Sequence, residues 1–294
     1  MNEYILSCGS TVDLTEEHLA KRNINVLHFH YRLGDVDYSD DFGKSLSYSE
    51  LYKAISEGKN ARTSQINTEE YIEAFTPILK AGNDIVHIEL SSGISGSYQS
   101  ALRAKDTLKE LFPEREVYIV DSLAASSGFG LLVDLAADYR DQGHSAKEVA
   151  EYVENKRQHI HHLFFSTDLT QYIKGGRVSA AAGLFGTILH ICPLLYVNPE
   201  GKLIPEKKLM GKKRAMSELL KEMKERALDH ENYSGKCYLC NSDCEADAIE
   251  MKRLIEENFA NLKGKCQIFN IGATIGCHSG KGTVAVFFEG EKRV

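Results

Sequence analysis

Over the first 160 residues, apolar and polar positions fall in a repeating order. A short apolar run meets a stretch of small or hydroxyl residues, and a longer segment with helical spacing follows. "EYILSCGS" opens the series. "NDIVHIEL" leads through "SSGISGSYQS" into "ALRAKDTLKELF", predicting a helix from about Tyr98. "EVYIVDS" leads into "GFGLLVDLAADYRDQG", which stops at Gly143. Short apolar runs bounded by turn residues predict buried strands, and apolar residues recurring three and four apart predict helices. Strand, loop and helix in repetition predict an α/β architecture with a doubly wound, Rossmann-like parallel sheet. Ligands of such sheets sit at the carboxyl ends of the strands, where both "SSGISGS" and "DSLAASSG" fall. Residues 34–50, "GDVDYSDDFGKSLSYSE", are polar and read as a loop.

The second half changes character. "HHLFFSTDL" reads as a strand, followed by a short helix and "KGGR". "VSAAAGLFGTILH" reads as an apolar helix rich in small residues, and "AAAGLFGTILHICPLL" (180–195) suits the wall of a tunnel. "ICPLLYVNPEGKLIPEKKLM" reads as a hairpin around "NPEGK". "KKRAMSELLKEMKERALD" is amphipathic. "KCYLCNS", a helix over "ADAIEMKRLIEENFA", "CQIFNIGATIGCHSG" and "TVAVFFEG" complete the chain. The expected organisation is an α/β domain over 1–160 carrying the Ser/Gly loop, and an α+β domain over 161–294 carrying the Gly-Gly-Arg and His loops.

Composition narrows the function. A length of 294 residues fits two domains at about 100–200 residues each. The net charge of −7 does not favour nucleic acid. There is no apolar run of about 18 residues and hence no transmembrane helix in the sequence pattern. "MNEYILSCGSTVDL" lacks the basic and apolar regions of a signal peptide. Seven scattered cysteines, an odd number, fit a reducing compartment. The expected location is cytoplasmic.

The Ser/Gly loop is a candidate anion site. A helix start leaves about four backbone N–H groups unpaired, and its dipole adds about half a positive charge. Small residues admit a ligand to the backbone, and serine hydroxyls add donors. The plain alternative is a capped helix start. A phosphate loop needs a Lys after its second Gly, and here Ser97 and Tyr98 follow Gly96. "GISGSY" does not supply the dinucleotide fingerprint either. A carboxylate remains open. "GISGS" also approaches the hydrolase elbow G-x-S-x-G, with Ser97 in place of the last Gly. A serine hydrolase acting on acyl esters would use Ser95 as nucleophile, with Asp121 or Asp168 and His278 in chain order.

Other motifs have bland readings. Thr63 and Ser64 in "RTSQIN" precede an amphipathic helix, where Thr68 and Tyr71 do not complete a capping box. "GCHSGKGT" sets His278 in a Gly-rich loop between strands. Arg177 in "KGGRV" fits a helix C-cap. Cys237 and Cys240, three apart on a strand, point to opposite faces, and no second pair completes a zinc site. His28 with His30 and His159 with His161 share strand faces but have no third ligand. No metal is expected.

Taken in order, "TSQ" (63–65), "LSSGISGSYQSA" (90–101), "VDS" (120–122), "YIKGGRVS" (172–179), "GKLIPEKK" (201–208) and "GCHSGKGT" (276–283) resemble the DegV family of bacterial fatty-acid-binding proteins. The resemblance spans nearly the whole chain. It implies a lipid carrier, not an enzyme, with a long-chain fatty acid such as hexadecanoate in a tunnel between two domains and no other cofactor. It implies that Thr63, Ser95 and His278 hold the carboxylate, with Ser64 and Gly96 beside them. For some members it implies a fatty acid kinase that phosphorylates the bound acid, with Arg177 facing that partner. The chain departs from the family pattern at Gly9, where the opening motif has Asp. It departs again at Cys192, in place of Lys, and at Met210, where the second hairpin strand has Arg. The lipid-carboxylate positions are intact, whereas the basic positions tied to the kinase are partly lost. Lys208 or Arg214 stands near enough in sequence to substitute.

The energetics allow such a ligand. Burying a methylene contributes about 0.8 kcal/mol, so a dozen give roughly 10 kcal/mol before the costs of association. The head group cannot be buried bare. Hydroxyl and N–H donors at 63, 95, 278 and the 91–98 turn would satisfy it and favour its ionised form.

Overall fold

The computed structural model describes residues 3–179 and 191–294. The chain opens with β1 (Tyr4–Gly9), α1 (Glu16–Lys21) and β2 (Ile24–Leu27). Next come β3 (His30–Leu33), β4 (Val36–Ser39), α2 (Tyr48–Ser56), β5 (Ala61–Ser64) and α3 (Thr68–Lys80). Then follow β6 (Asp84–Glu89), α4 (Ser97–Leu111), β7 (Val117–Asp121), α5 (Ser126–Asp141) and α6 (Ala146–Lys156). Strands β2-β1-β6-β7 form a parallel sheet in that order, with helices between successive strands. Every residue of β6 is buried, as expected for a central strand covered on both faces.

The second half holds β8 (Ile160–Ser166), α7 (Thr170–Lys174), β9 (Ile191–Val197), β10 (Leu203–Met210) and α8 (Lys212–Arg226). It closes with β11 (Tyr238–Asn241), α9 (Glu245–Asn258), β12 (Gln267–Asn270), α10 (Ala273–Ser279) and β13 (Thr283–Glu289). Its mixed sheet runs β10-β9-β8-β13-β11-β12. The β9–β10 hairpin pairs Val197 with Leu203 and Ile191 with Met210, with a bulge between Pro205 and Lys207. The fold is therefore α/β, with a parallel N-terminal sheet and a mixed C-terminal one. The apolar helix expected over 178–190, and most of the 180–195 tunnel wall, fall on residues 180–190, outside the described residues.

Three sequence expectations need correction. Residues 34–50 are not one loop. β4 pairs antiparallel with β3 across a turn with Gly34 at φ +65°, and Tyr31 stacks on Tyr38 at 5.1 Å. Ser47 and Glu50 then form a capping box that starts α2. The polar residues misled because this strand and turn carry their charges outward. The helix after "RTSQ" does have a capping box, one residue earlier than the pair considered. Asn67 Oδ1 accepts from the Glu70 N–H (2.9 Å), and Glu70 accepts from the Asn67 N–H (2.7 Å). His278 lies on a helix, α10, and not in a loop. Gly272 caps its start, and Gly280 ends it at φ +63°. Gly276 serves closeness: a Cβ there would lie 2.6 Å from the Tyr52 hydroxyl.

Beside a three-stranded sheet, β4-β3-β5, the parallel and the six-stranded sheets share one core, in which Leu6 and Phe129 belong with Phe164 and Phe287. Helix α5 forms the junction. A Cβ on Gly128 would come within 2.3 Å of His162 Nε2 and 2.6 Å of the Phe287 ring, so only glycine lets α5 lie this close to β8 and β13.

Candidate ligand-binding site

A cavity of about 380 Å³ opens between the sheets, within the range of about 300–1,000 Å³ typical of small-molecule sites. Its apolar part is lined by Phe29, Leu90, Val197, Leu203, Ile271 and Phe287 among others. Its polar end carries Thr63, Ser64, Ser95, Gly96, Arg177 and His278. The structure thus gathers all six residues singled out in the sequence around one cavity. They come from β5, the β6–α4 loop, the turn after α7, and α10.

Thr63 ends up beside α10 because β5 pairs with β3, with Thr63 opposite Tyr31. Its Oγ1 lies 2.8 Å from His278 Nε2. His278 Nδ1 is buried with no hydrogen-bond partner. It faces Gly175, where a Cβ would lie 2.2 Å away. An unpaired ring N–H would be the costlier orphan, so the pattern assigns the proton to Nε2. Nε2–H then donates to Thr63, whose own hydroxyl hydrogen is free to point into the cavity. Burial first, and then the charge of Arg177, lowers the His278 pKa from 6.5 to about 4. The imidazole is neutral at pH 7.

The β6–α4 loop turns tightly. Ser95 N–H donates to the Ser91 carbonyl (3.1 Å). Ser91 is buried and donates to the Gly201 carbonyl (2.9 Å), which ties the loop to the β9–β10 turn. Gly93 must be glycine, since a Cβ would lie 2.3 Å from the Glu200 carbonyl oxygen. Arg177 follows the α7 C-cap at Gly175 and Gly176 (φ +72°). It is half-buried; its Nε donates to the Ile94 carbonyl (3.0 Å) and its Nη1 to the Gly175 carbonyl. Desolvation lowers its pKa. On the outer side of Thr63, Arg177 and His278 lies a second, polar hollow of about 400 Å³, lined also by Asn60, Arg62, Gln171 and Lys174.

The hydrolase arrangement is not assembled. Among the described contacts no carboxylate meets His278. Asp121 Oδ1 accepts from the Ser92 and Leu123 N–H groups (3.1 and 3.0 Å), and Asp168 Oδ1 accepts from Thr170. Among the described residues no group of His, Cys, Asp or Glu could hold a metal, and no helix is long and apolar enough to cross a membrane.

A family model described as "Uncharacterised protein, DegV family" matches residues 8–291. The chain belongs to the DegV family. A DegV domain-containing protein of Clostridium perfringens is 33% identical over 293 residues, covering 100% of this chain and 99% of that protein. One of Lactococcus lactis is 34% identical, covering 95% and 94%. Among solved structures, the DegV-family protein from Thermus thermophilus, described as fatty-acid binding, matches with a TM-score of 0.85 at 25% identity, covering 99% of this chain and all of that one. The one from Ruminococcus gnavus, described with vaccenic acid, matches with a TM-score of 0.84 at 25% identity, covering 97% and 99%. The Streptococcus pneumoniae Fatty Acid Kinase B3 protein, loaded with linoleic acid, shares the fold (TM-score 0.84, 20% identity, covering 98% of this DegV chain and all of that one).

Several residues lining this DegV cavity were not singled out from sequence: His162, Phe164, Tyr172 and Thr274 among them. His162 stands beside His161 in "HIHHLFF", where only the alternate pair His159 and His161 draws a reading. The sequence did carry a signal for the buried pair His87 and Glu89, since "IVHIEL" places two ionisable residues two apart in an otherwise apolar strand.

Proposed function

We propose that this DegV-family chain is a carrier that binds a long-chain fatty acid in the cavity between its sheets. The tail lies against Phe29, Leu203, Ile271 and Phe287. The carboxyl group sits at the Thr63 and Ser95 hydroxyls beside neutral His278, with Ser64 and the Gly96 backbone completing the rim. The observation that carries this reading is an apolar cavity closed at one end by hydroxyls that two distant chain segments bring together. The Thermus and Ruminococcus relatives, described with fatty acids, support it. The domain division at residue 160 fits it too, since the ligand would then lie between the halves.

A kinase that phosphorylates the bound acid is the partner implied by the family. The outer hollow, with Arg62, Lys174 and Arg177, gives a phosphoryl donor a basic approach to the head group. Met210, half exposed at the end of β10, replaces the family's arginine there, so any docking at this strand relies on other cations. The proposed location is the cytoplasm.

Native mass spectrometry of protein purified without added lipid tests the reading. The expected spectrum shows the chain plus one fatty acid mass, released on denaturation. A ligand-free chain that also fails to take up hexadecanoate would overturn it. Covalent labelling of Ser95 by a serine-directed phosphonate would instead favour a hydrolase.

A further inference from the structure

Behind Ser95 lies a buried polar chain that lipid contact alone does not require. Glu89 and His87 are both fully buried on one face of β6. Glu89 Oε1 accepts from the Ser97 hydroxyl and from the Leu90 N–H, both at 2.8 Å. Oε2 accepts from the Tyr71 hydroxyl and from His87 Nε2, the latter at 2.9 Å. His87 Nδ1 meets the Ser7 hydroxyl at 3.0 Å. With the His87 proton on Nε2, four donors meet the four acceptor sites of the carboxylate.

This fixes the direction of the hydroxyls in front. Ser97 has one hydroxyl hydrogen, and Glu89 takes it. Ser95 Oγ and Ser97 Oγ are 3.0 Å apart, so Ser95 must be the donor in that contact. Ser95 Oγ also accepts from the Ser97 N–H (3.2 Å), which leaves it one lone pair for the cavity. The cradle therefore presents a hydroxyl hydrogen from Thr63 and a lone pair from Ser95. That pair of groups complements a protonated carboxyl group, whose C=O accepts and whose O–H donates, and not the ionised form expected when Ser95 is counted as a donor. Resting on the fatty-acid reading above, we propose that the Glu89–His87 pair turns the Ser95 hydroxyl inward and so biases the site toward the protonated form of the bound acid. Glu89 and His87 are positioning residues in this scheme. The groups facing Glu89 are His87, Tyr71 on α3 and Ser97 on α4. Those facing the head group are Thr63, His278 and Arg177, and the arginine pulls the other way.

Hexadecanoic acid labelled with ¹³C at the carboxyl carbon, bound to the protein and followed by NMR across pH, reads the protonation of the ligand directly. The midpoint should fall by about one pH unit or more in Glu89→Gln, which keeps the shape and removes the charge. It should also fall in Ser97→Ala, which keeps the charge and breaks the hydroxyl chain. Equal midpoints in wild type and both variants would overturn the proposal. So would a fall in Glu89→Gln alone, which would mean that charge acts through space without the hydroxyls. If Glu89→Gln does not fold, Ser97→Ala decides. The absence of any bound carboxyl resonance in wild type is a separate outcome, and it would overturn the fatty-acid reading itself.

Discussion

The two walls of the cradle are built on opposite electrostatic plans. The Ser95 wall is backed by one buried carboxylate with four donors, including a histidine. The His278 wall is backed by two buried carboxyls, Asp13 and Asp40, at the start of α10. Asp13 accepts from the Gly272 N–H (2.9 Å) and the Ser126 hydroxyl, and Asp40 accepts from the Thr274 N–H (3.1 Å). Burial pushes Asp13 well above the usual carboxylate range, with the charge of Asp40 adding to the shift. Burial also raises Asp40. One wall thus spends its carboxylate on aiming a hydroxyl. The other uses its two carboxyls to anchor a helix start, and their burial favours the protonated form.

The largest effect that separates the walls should be on stability. Asp13→Ala leaves the Gly272 N–H unpaired and the Ser126 hydroxyl with only the Cys240 sulfur (3.2 Å), at about 1–3 kcal/mol for each buried group. Urea unfolding should show a loss of about 3 kcal/mol, summing the two. Asp13→Asn should be far milder at pH 7. A carboxyl whose folded pKa is raised contributes stability that is full below its unfolded pKa of about 4, and that is lost as pH rises through the folded value. Wild type should therefore lose part of its stability above about pH 4 through this wall, and Asp13→Asn should flatten that decline. An unchanged slope would show that Asp13 is ionised in the fold.

The junction between the halves comes next. Gly128→Ala should cost about 1–3 kcal/mol through overpacking against His162 and Phe287. Because both residues line the cavity, hexadecanoate affinity should fall with it. Thermal melts and a fluorescent-lipid displacement titration measure the two losses.

The smallest expected effect is at His278. Its folded pKa of about 4 lies below the ordinary 6.5, so the unfolded chain binds more protons between those values. Stability should fall as pH drops through that window, opposite in sign to the Asp13 contribution, and His278→Gln should remove this slope. A glutamine amide can still donate to Thr63, so the affinity at pH 7 should change by less than about tenfold. A larger loss would mean that the imidazole contacts the ligand itself.

These contrasts also mark what the sequence could tell. The strand–loop–helix order disclosed the parallel sheet, and the β9–β10 hairpin followed from its turn residues. Thr63, Ser95 and His278 were legible as small or polar residues in short motifs, and the family resemblance tied them together. Their meeting depends on long-range pairing of β5 with β3, which no local pattern reports. The α10 helix read as a loop because three glycines in nine residues mimic one. Two of those glycines cap the helix and the third clears Tyr52. Asp13 and Asp40 drew no reading from the sequence, since nothing local announces that they will be buried against Gly272 and Thr274.

On the function proposed above, Thr63 and Ser95 recognise a carboxyl group at the polar end of an apolar cavity. The most direct test is one displacement titration comparing hexadecanoic acid with its methyl ester, on wild type and on Thr63→Ala/Ser95→Ala. Wild type should bind the acid more than tenfold tighter than the ester, at about 1.5–3 kcal/mol for each hydrogen bond to a charged group or about 1 for a neutral one. The double variant should stay folded, bind the ester as wild type does, and lose most of its preference for the acid. A double variant that still prefers the acid as strongly as wild type would contradict the account.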